Sequence, residues 1–165
     1  MNKAPQSFMM ASGKITIREE IGRREADAVL GRKGGACFTT LTGRKSGFLI
    51  CRKAKEEASR EILRALENGP CFSITPDRGR EFSGCRELGR KLGAKFYFPL
   101  PHQPWARGTN ENTNGLLREY FPKGEDMVNW TDEEVSSGIR ELNLRPKKCL
   151  GWLTPYEVYY GVRLH

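Results

Sequence analysis

Three acidic residues stand where acids can do chemistry. Glu111 lies between two asparagines in the run Pro104-Trp-Ala-Arg-Gly-Thr-Asn-Glu-Asn-Thr-Asn-Gly115, which begins with turn formers and passes into a helical pattern. Asp77 comes two residues after the β-rich run Cys71-Phe-Ser-Ile-Thr75, at the kind of strand end where loops of α/β sheets carry ligands. Asp27 falls inside the short strand-like segment 25–30, where an unpartnered carboxylate is unfavourable. The other acids are of a different kind: Glu56, Glu57, Glu133 and Glu134 sit on charged helical faces and read as solvated. Three carboxylates brought together repel and raise one another's pKa unless a cation lies between them. Hard oxygen ligands select Mg²⁺ or Mn²⁺, and two such ions about 3.5–4 Å apart can activate a hydroxyl and stabilise the leaving oxygen at a phosphodiester.

The elements that must position these acids follow from pattern and punctuation. Segments 25–30, 36–42 and 47–51 are strands joined by turns at 32–35 and 43–46, which makes an antiparallel meander. Between 55 and 67 the period changes to that of a helix, with Ala58, Ile62, Ala65 and Leu66 on one stripe, and Asn68-Gly-Pro70 stops it. The strand at 71–75 therefore returns by a helical crossover and suits parallel pairing with the first strand, which would bring Asp27 beside Asp77. A short helix over 86–92 and a fifth strand at 95–98 come next, then a proline-rich loop in which Trp105 either anchors the loop or stacks on a base. Thr109 or Asn110 is the expected cap of the helix bearing Glu111. That helix turns Thr113, Leu116, Leu117 and Tyr120 to the core and Glu111, Asn114, Gly115 and Arg118 to a ligand, although 104–115 alone fits an ordinary capped surface helix equally well. Thr131 to Glu134 has the form of a capping box opening a helix to about Asn143, and Thr154-Pro155 caps a last short helix. The whole is an α/β fold, a five-stranded mixed sheet with helices on its faces.

The chain has 165 residues, enough for one domain with a sizeable core; 38% are hydrophobic and 29% charged. Its net charge of +8, from 28 basic and 20 acidic residues, points to a polyanionic partner such as nucleic acid. Arg78, Arg107 and Arg118 flank the acids and are candidate phosphate contacts. Five cysteines, widely spaced and with no C-x-x-C pair, read as reduced thiols of a cytoplasmic protein rather than as a zinc site or disulfide framework. No apolar run has membrane length and no signal peptide is evident.

Asp77-Arg-Gly-Arg-Glu-Phe82, the 104–115 run, and Arg145-Pro-Lys-Lys148 with Thr154-Pro155 resemble the catalytic domain of IS30-family transposases, a branch of the DDE transposases and retroviral-type integrases. Thirty-three residues (78 to 110) separate Asp77 from Glu111, a spacing typical of that group, and the resemblance runs from about residue 18 to 161. It implies an RNase H-like fold, with 18–165 the integrase-type core and the N-terminal helix-turn-helix region of family members absent; residues 1–17, without period, read as a flexible N-terminal segment. It also implies that Asp27, Asp77 and Glu111 hold two Mg²⁺ or Mn²⁺ ions. The chain would then cut DNA at the ends of an element and join the freed 3′-hydroxyl to target DNA, working as a homo-oligomer, or would be a truncated copy of such an enzyme. The alternatives are an inactive DNA-binding remnant and a nuclease of the same fold acting on RNA–DNA hybrids. At the first acid the chain reads Arg24-Glu-Ala-Asp27 where the family usually has Trp-Glu-Gly-Asp.

Overall fold

The computed structural model describes residues 20–30, 36–54, 69–76, 85–98 and 108–164. Five strands, β1 (Arg23–Leu30), β2 (Cys37–Gly43), β3 (Leu49–Ala54), β4 (Ser73–Pro76) and β5 (Lys95–Phe96), form one sheet in the order β3-β2-β1-β4-β5. β1, β2 and β3 pair antiparallel, whereas β4 joins β1 and β5 joins β4 in parallel. Among the described residues the helices are α1 (Cys85–Leu92), α2 (Gly108–Tyr120), α3 (Asp132–Leu144) and α4 (Pro155–Tyr160), with single 3₁₀ turns at Met127–Asn129 and Lys148–Leu150. None of them is long and apolar enough to cross a membrane. The expected turn at 32–35 and helix at 55–67 lie outside the described residues.

Side chains alternate across a strand, so β1 is divided between two cores. Ala26 joins Leu41, Ile74 and Phe96 on one face of the sheet. Val29 joins Phe38, Leu49, Cys51, Leu117, Phe121, Met127, Val135 and Leu142 on the other, the face covered by α2 and α3. Glu25 and Asp27 share the parity of Val29 and so belong to the helix-covered face. Phe121 meets Phe38 edge to face at 5.0 Å and Trp130 at 5.2 Å. This packing needs Gly138 on α3, where a β-carbon would stand 3.1 Å from the Phe121 ring.

The expected capping box at Thr131 forms, and the expected cap at Thr154 proves to be a second one. Thr131 and Glu134 exchange hydrogen bonds at the start of α3, and Thr154 and Glu157 do so at α4, with Pro155 in its first turn. β3 begins at Leu49 rather than at Gly47 because Gly47 takes φ +66°, a left-handed conformation that ends a tight turn and cannot continue a strand. As the edge strand, β3 would leave backbone groups unpaired. At Leu49 the side chain of Asn143 on α3 takes the place of a neighbouring strand, its amide donating to Leu49 O and its carbonyl accepting from Leu49 N, both at 2.8 Å. β5 is shorter than expected, although Tyr97 N still donates to Ile74 O beyond its end. The cysteines at 37, 51, 71 and 149 are free thiols.

Candidate active site

Asp27 is 8% exposed, in the middle of β1. One carboxylate oxygen accepts the N–H of Ala28 at 2.8 Å, and the other accepts the side-chain amide of Asn114 at 2.7 Å. Charge-assisted bonds of that length are stronger than neutral ones, and they explain how a carboxylate is tolerated inside a strand. Asn114 belongs to α2, so this one contact ties the helix to the first strand across 87 positions of sequence.

Glu111 lies one turn before Asn114 and Arg118 one turn after it, on the same stripe of α2. Glu111 is exposed, in the first turn of α2, and it makes no hydrogen bond or ion pair among the described residues. The core side of α2 is as expected: Thr113 and Leu117 are buried, with Leu116 and Tyr120 packed against the same cluster. The capping expectation needs correction. α2 already begins at Gly108, which places Thr109 within the first turn, and its hydroxyl is buried without a hydrogen-bond partner among the described residues. Burial also holds the Arg118 guanidinium below its ordinary pKa.

Asp77, Arg78 and Arg107 lie outside the described residues, and among those described no group of three metal-ligating side chains occurs. The pairing of β1 with β4 is described as far as Ala26 with Pro76. The oxygens of Asp27 and Glu111 are hard donors of the type that suits Mg²⁺ or Mn²⁺.

Two further features of the sheet were not anticipated. Glu25, two residues before Asp27, forms an ion pair at 2.8 Å with Arg44, and both side chains are almost wholly buried. Period-two spacing from Asp27 could have flagged Glu25, but nothing local points to Arg44. On the opposite face Arg24 is 1% exposed and docks the last helix. Its guanidinium donates to Tyr159 Oη at 2.9 Å and Pro70 O at 3.3 Å and lies 5.6 Å from the Tyr159 ring centre. Arginine thus combines a hydrogen bond to the Tyr159 hydroxyl with a cation–π contact to its ring.

The mixed sheet in this order, with helices on its faces, is an RNase H-like fold. The catalytic core of the BIV integrase superposes with a TM-score of 0.64 at 20% identity, covering 85% of this chain and 94% of that one. A chain of the simian T-cell lymphotropic virus intasome superposes with a TM-score of 0.65 at 21% identity, covering 87% and 55%. In sequence, the homologues are IS30-family transposases. The chain is 36% identical over 152 residues to the transposase of IS4351 from Bacteroides fragilis, 38% over 154 residues to that of IS30C from Escherichia coli, and 48% over 144 residues to that of IS1086 from Cupriavidus metallidurans. These alignments take in 83–89% of this chain but 40–46% of the relatives, so the chain spans less than half the length of each. No protein-family model matches it.

Proposed function

We propose that the chain is a DDE transposase catalytic domain that cuts DNA and joins the cut strand to a target, with Asp27, Asp77 and Glu111 as its catalytic carboxylates. The observation that carries this reading is the hydrogen bond from Asn114 to Asp27, which brings the helix bearing Glu111 onto the strand bearing Asp27. The parallel register supports the third member. Ala26 pairs with Pro76, and Asp27 and Asp77 are the residues that follow this pair in sequence.

In this reading the three acids hold Mg²⁺ or Mn²⁺, two ions in all, whose charge activates the attacking hydroxyl and stabilises the leaving oxygen. The protein's own residues do the rest. Asn114 fixes the rotamer of Asp27 and spends one lone pair of Oδ2, leaving others for a cation. Arg78, Arg107 and Arg118 contact backbone phosphates, and the excess of positive charge draws in DNA, both element ends and target. Self-association and a cytoplasmic setting go with the same reading.

The test is strand cleavage of duplex DNA by the purified chain with Mg²⁺ or Mn²⁺. Asp77→Asn and Glu111→Gln are each expected to abolish it while the protein stays folded. Variants that cut as well as the wild type would rule out the carboxylate assignment. Salt-sensitive DNA binding with no metal-dependent cleavage by the wild type would favour the non-catalytic remnant instead.

A further inference from the structure

Beside the candidate active site is a cavity of about 490 Å³ that neither the acids nor the three arginines account for. Its walls come from three parts of the chain: the β2–β3 turn with Arg44, Lys45 and Gly47, the start of α2 with Thr109 and Asn112, and the turn after α3 with Lys147. None of the described lining residues is acidic. The charge of Arg44 is already met by Glu25. Lys147 is different: half-buried, it makes no ion pair or side-chain hydrogen bond among the described residues.

Several features keep its ammonium open to a ligand. Gly47 adopts φ +66°, and a β-carbon there would stand 3.3 Å from Lys147 Nζ, so a side chain at 47 would crowd the ammonium. The backbone of Lys147 is fixed, its N–H donating to Leu153 O and its carbonyl accepting from Leu150 and Trp152. Elsewhere on the lining the Thr109 hydroxyl is buried and without a hydrogen-bond partner among the described residues, a donor that a ligand could use. Burial, with Arg145 nearby, holds the Lys147 ammonium below its ordinary pKa, and an anion would relieve that cost. Thr109 and Asn112 bracket Glu111 in sequence, so the cavity wall lies within one helical turn, about 5.4 Å along the axis, of the Glu111 backbone.

We propose that this cavity seats a backbone phosphate of the DNA strand that passes Glu111, with Lys147 as its charged contact and the Thr109 hydroxyl as a donor. The inference rests on the catalytic-domain reading above, and its test needs no catalysis. Binding of a fluorescent DNA duplex by the whole chain is followed in EDTA across a salt series, for the wild type, Lys147→Met, Lys147→Arg and Lys123→Met. Methionine keeps the packing of the lysine stem and removes the charge. Lys123 is exposed beyond the far end of α2 and is the control.

Lys147→Met is expected to weaken binding several-fold at low salt and to reduce the slope of log K against log salt by about 0.9, the value for one phosphate contact. Lys147→Arg is expected to keep the slope, Lys123→Met to leave affinity within twofold, and thermal midpoints to stay together. Unchanged affinity and slope in Lys147→Met would overturn the proposal and leave the catalytic reading standing. Inorganic phosphate, titrated separately, distinguishes a free-anion site: if Lys147→Met lost phosphate binding but bound DNA like the wild type, the proposal would also fail. Loss of cleavage in Glu111→Gln with DNA binding intact would concern the carboxylates and not this cavity.

Discussion

Replacing Asn114 with alanine removes a side-chain hydrogen bond that joins α2 to Asp27. The bond is 2.7 Å long and its acceptor is a carboxylate 8% exposed, so water does not readily replace the lost donor. Hydrogen bonds to charged groups contribute about 1.5–3 kcal/mol, and about 2 kcal/mol is the expected loss here. For a domain of this size that lowers the thermal midpoint by about 4–8 °C. Asn114→Asp is the sharper version, because it sets a second carboxylate against Asp27. At 4 Å and an effective dielectric near 20 the repulsion is about 4 kcal/mol. It should weaken as pH falls and one carboxylate takes up a proton, and as a divalent cation is added. The assay is differential scanning fluorimetry of wild type, Asn114→Ala and Asn114→Asp in EDTA and in Mn²⁺, at pH 7.5 and pH 5. The expected order of midpoints in EDTA at pH 7.5 is wild type, alanine, aspartate, with the aspartate variant gaining most from Mn²⁺ and from acid. Metal-dependent cleavage by Asn114→Ala should fall about 10-fold or more, as for other groups that orient a metal ligand. A wild-type midpoint in Asn114→Ala, or an aspartate variant indifferent to both pH and Mn²⁺, would refute the placement of Asn114 on Asp27.

Three other outcomes follow from contacts elsewhere. Glu25→Gln leaves Arg44 buried without its countercharge and should cost about 3–5 kcal/mol in urea unfolding; the double replacement Glu25→Leu with Arg44→Met should recover much of that, and full additivity of the single effects would contradict the pair. Asn143→Leu strips both backbone groups of Leu49 of their partner, so a loss of about 2–4 kcal/mol is expected, with concentration-dependent association on a sizing column; a stable monomer would show that the edge is protected otherwise. Burial pushes the thiols of Cys51 and Cys71 up to about 12 and about 11, with Arg52 and Arg24 respectively opposing the shift. At pH 8 about 10⁻⁴ and 10⁻³ of each is thiolate, so alkylation should mark exposed Cys149 first and reach these two only in denaturant. Labelling of native Cys51 at the rate of Cys149 would contradict its burial.

What could be read from the residues was what neighbours in sequence decide. The capping box at Thr131 is a four-residue pattern and the cap at Thr154 stands directly before Pro155, and each forms as its sequence requires. The meander followed from its turns, and the parallel return of the fourth strand from the crossover that precedes it. The Glu111 helix was legible because its stripe of Thr113, Leu117 and Tyr120 has helical period. The bonds that set the site in place were not legible. Asn114 could be assigned to the ligand-facing side of α2, but its docking on Asp27 spans 87 positions, and so depends on how the helix crosses the sheet. The same holds for Glu25 with Arg44 and for Asn143 on the edge of β3, 94 positions from Leu49. Thr109 illustrates the opposite error: a good capping residue by type, it falls inside the helix because α2 begins one position earlier.

The central claim is that Asp27, Asp77 and Glu111 form one metal-holding group, and Mn²⁺ binding by isothermal titration tests it without DNA or turnover. The wild type is expected to take up two ions, and Asp27→Asn, Asp77→Asn and Glu111→Gln are each expected to lose at least one while keeping the wild-type circular dichroism spectrum. Three folded variants that bind Mn²⁺ with the stoichiometry and affinity of the wild type would contradict the account.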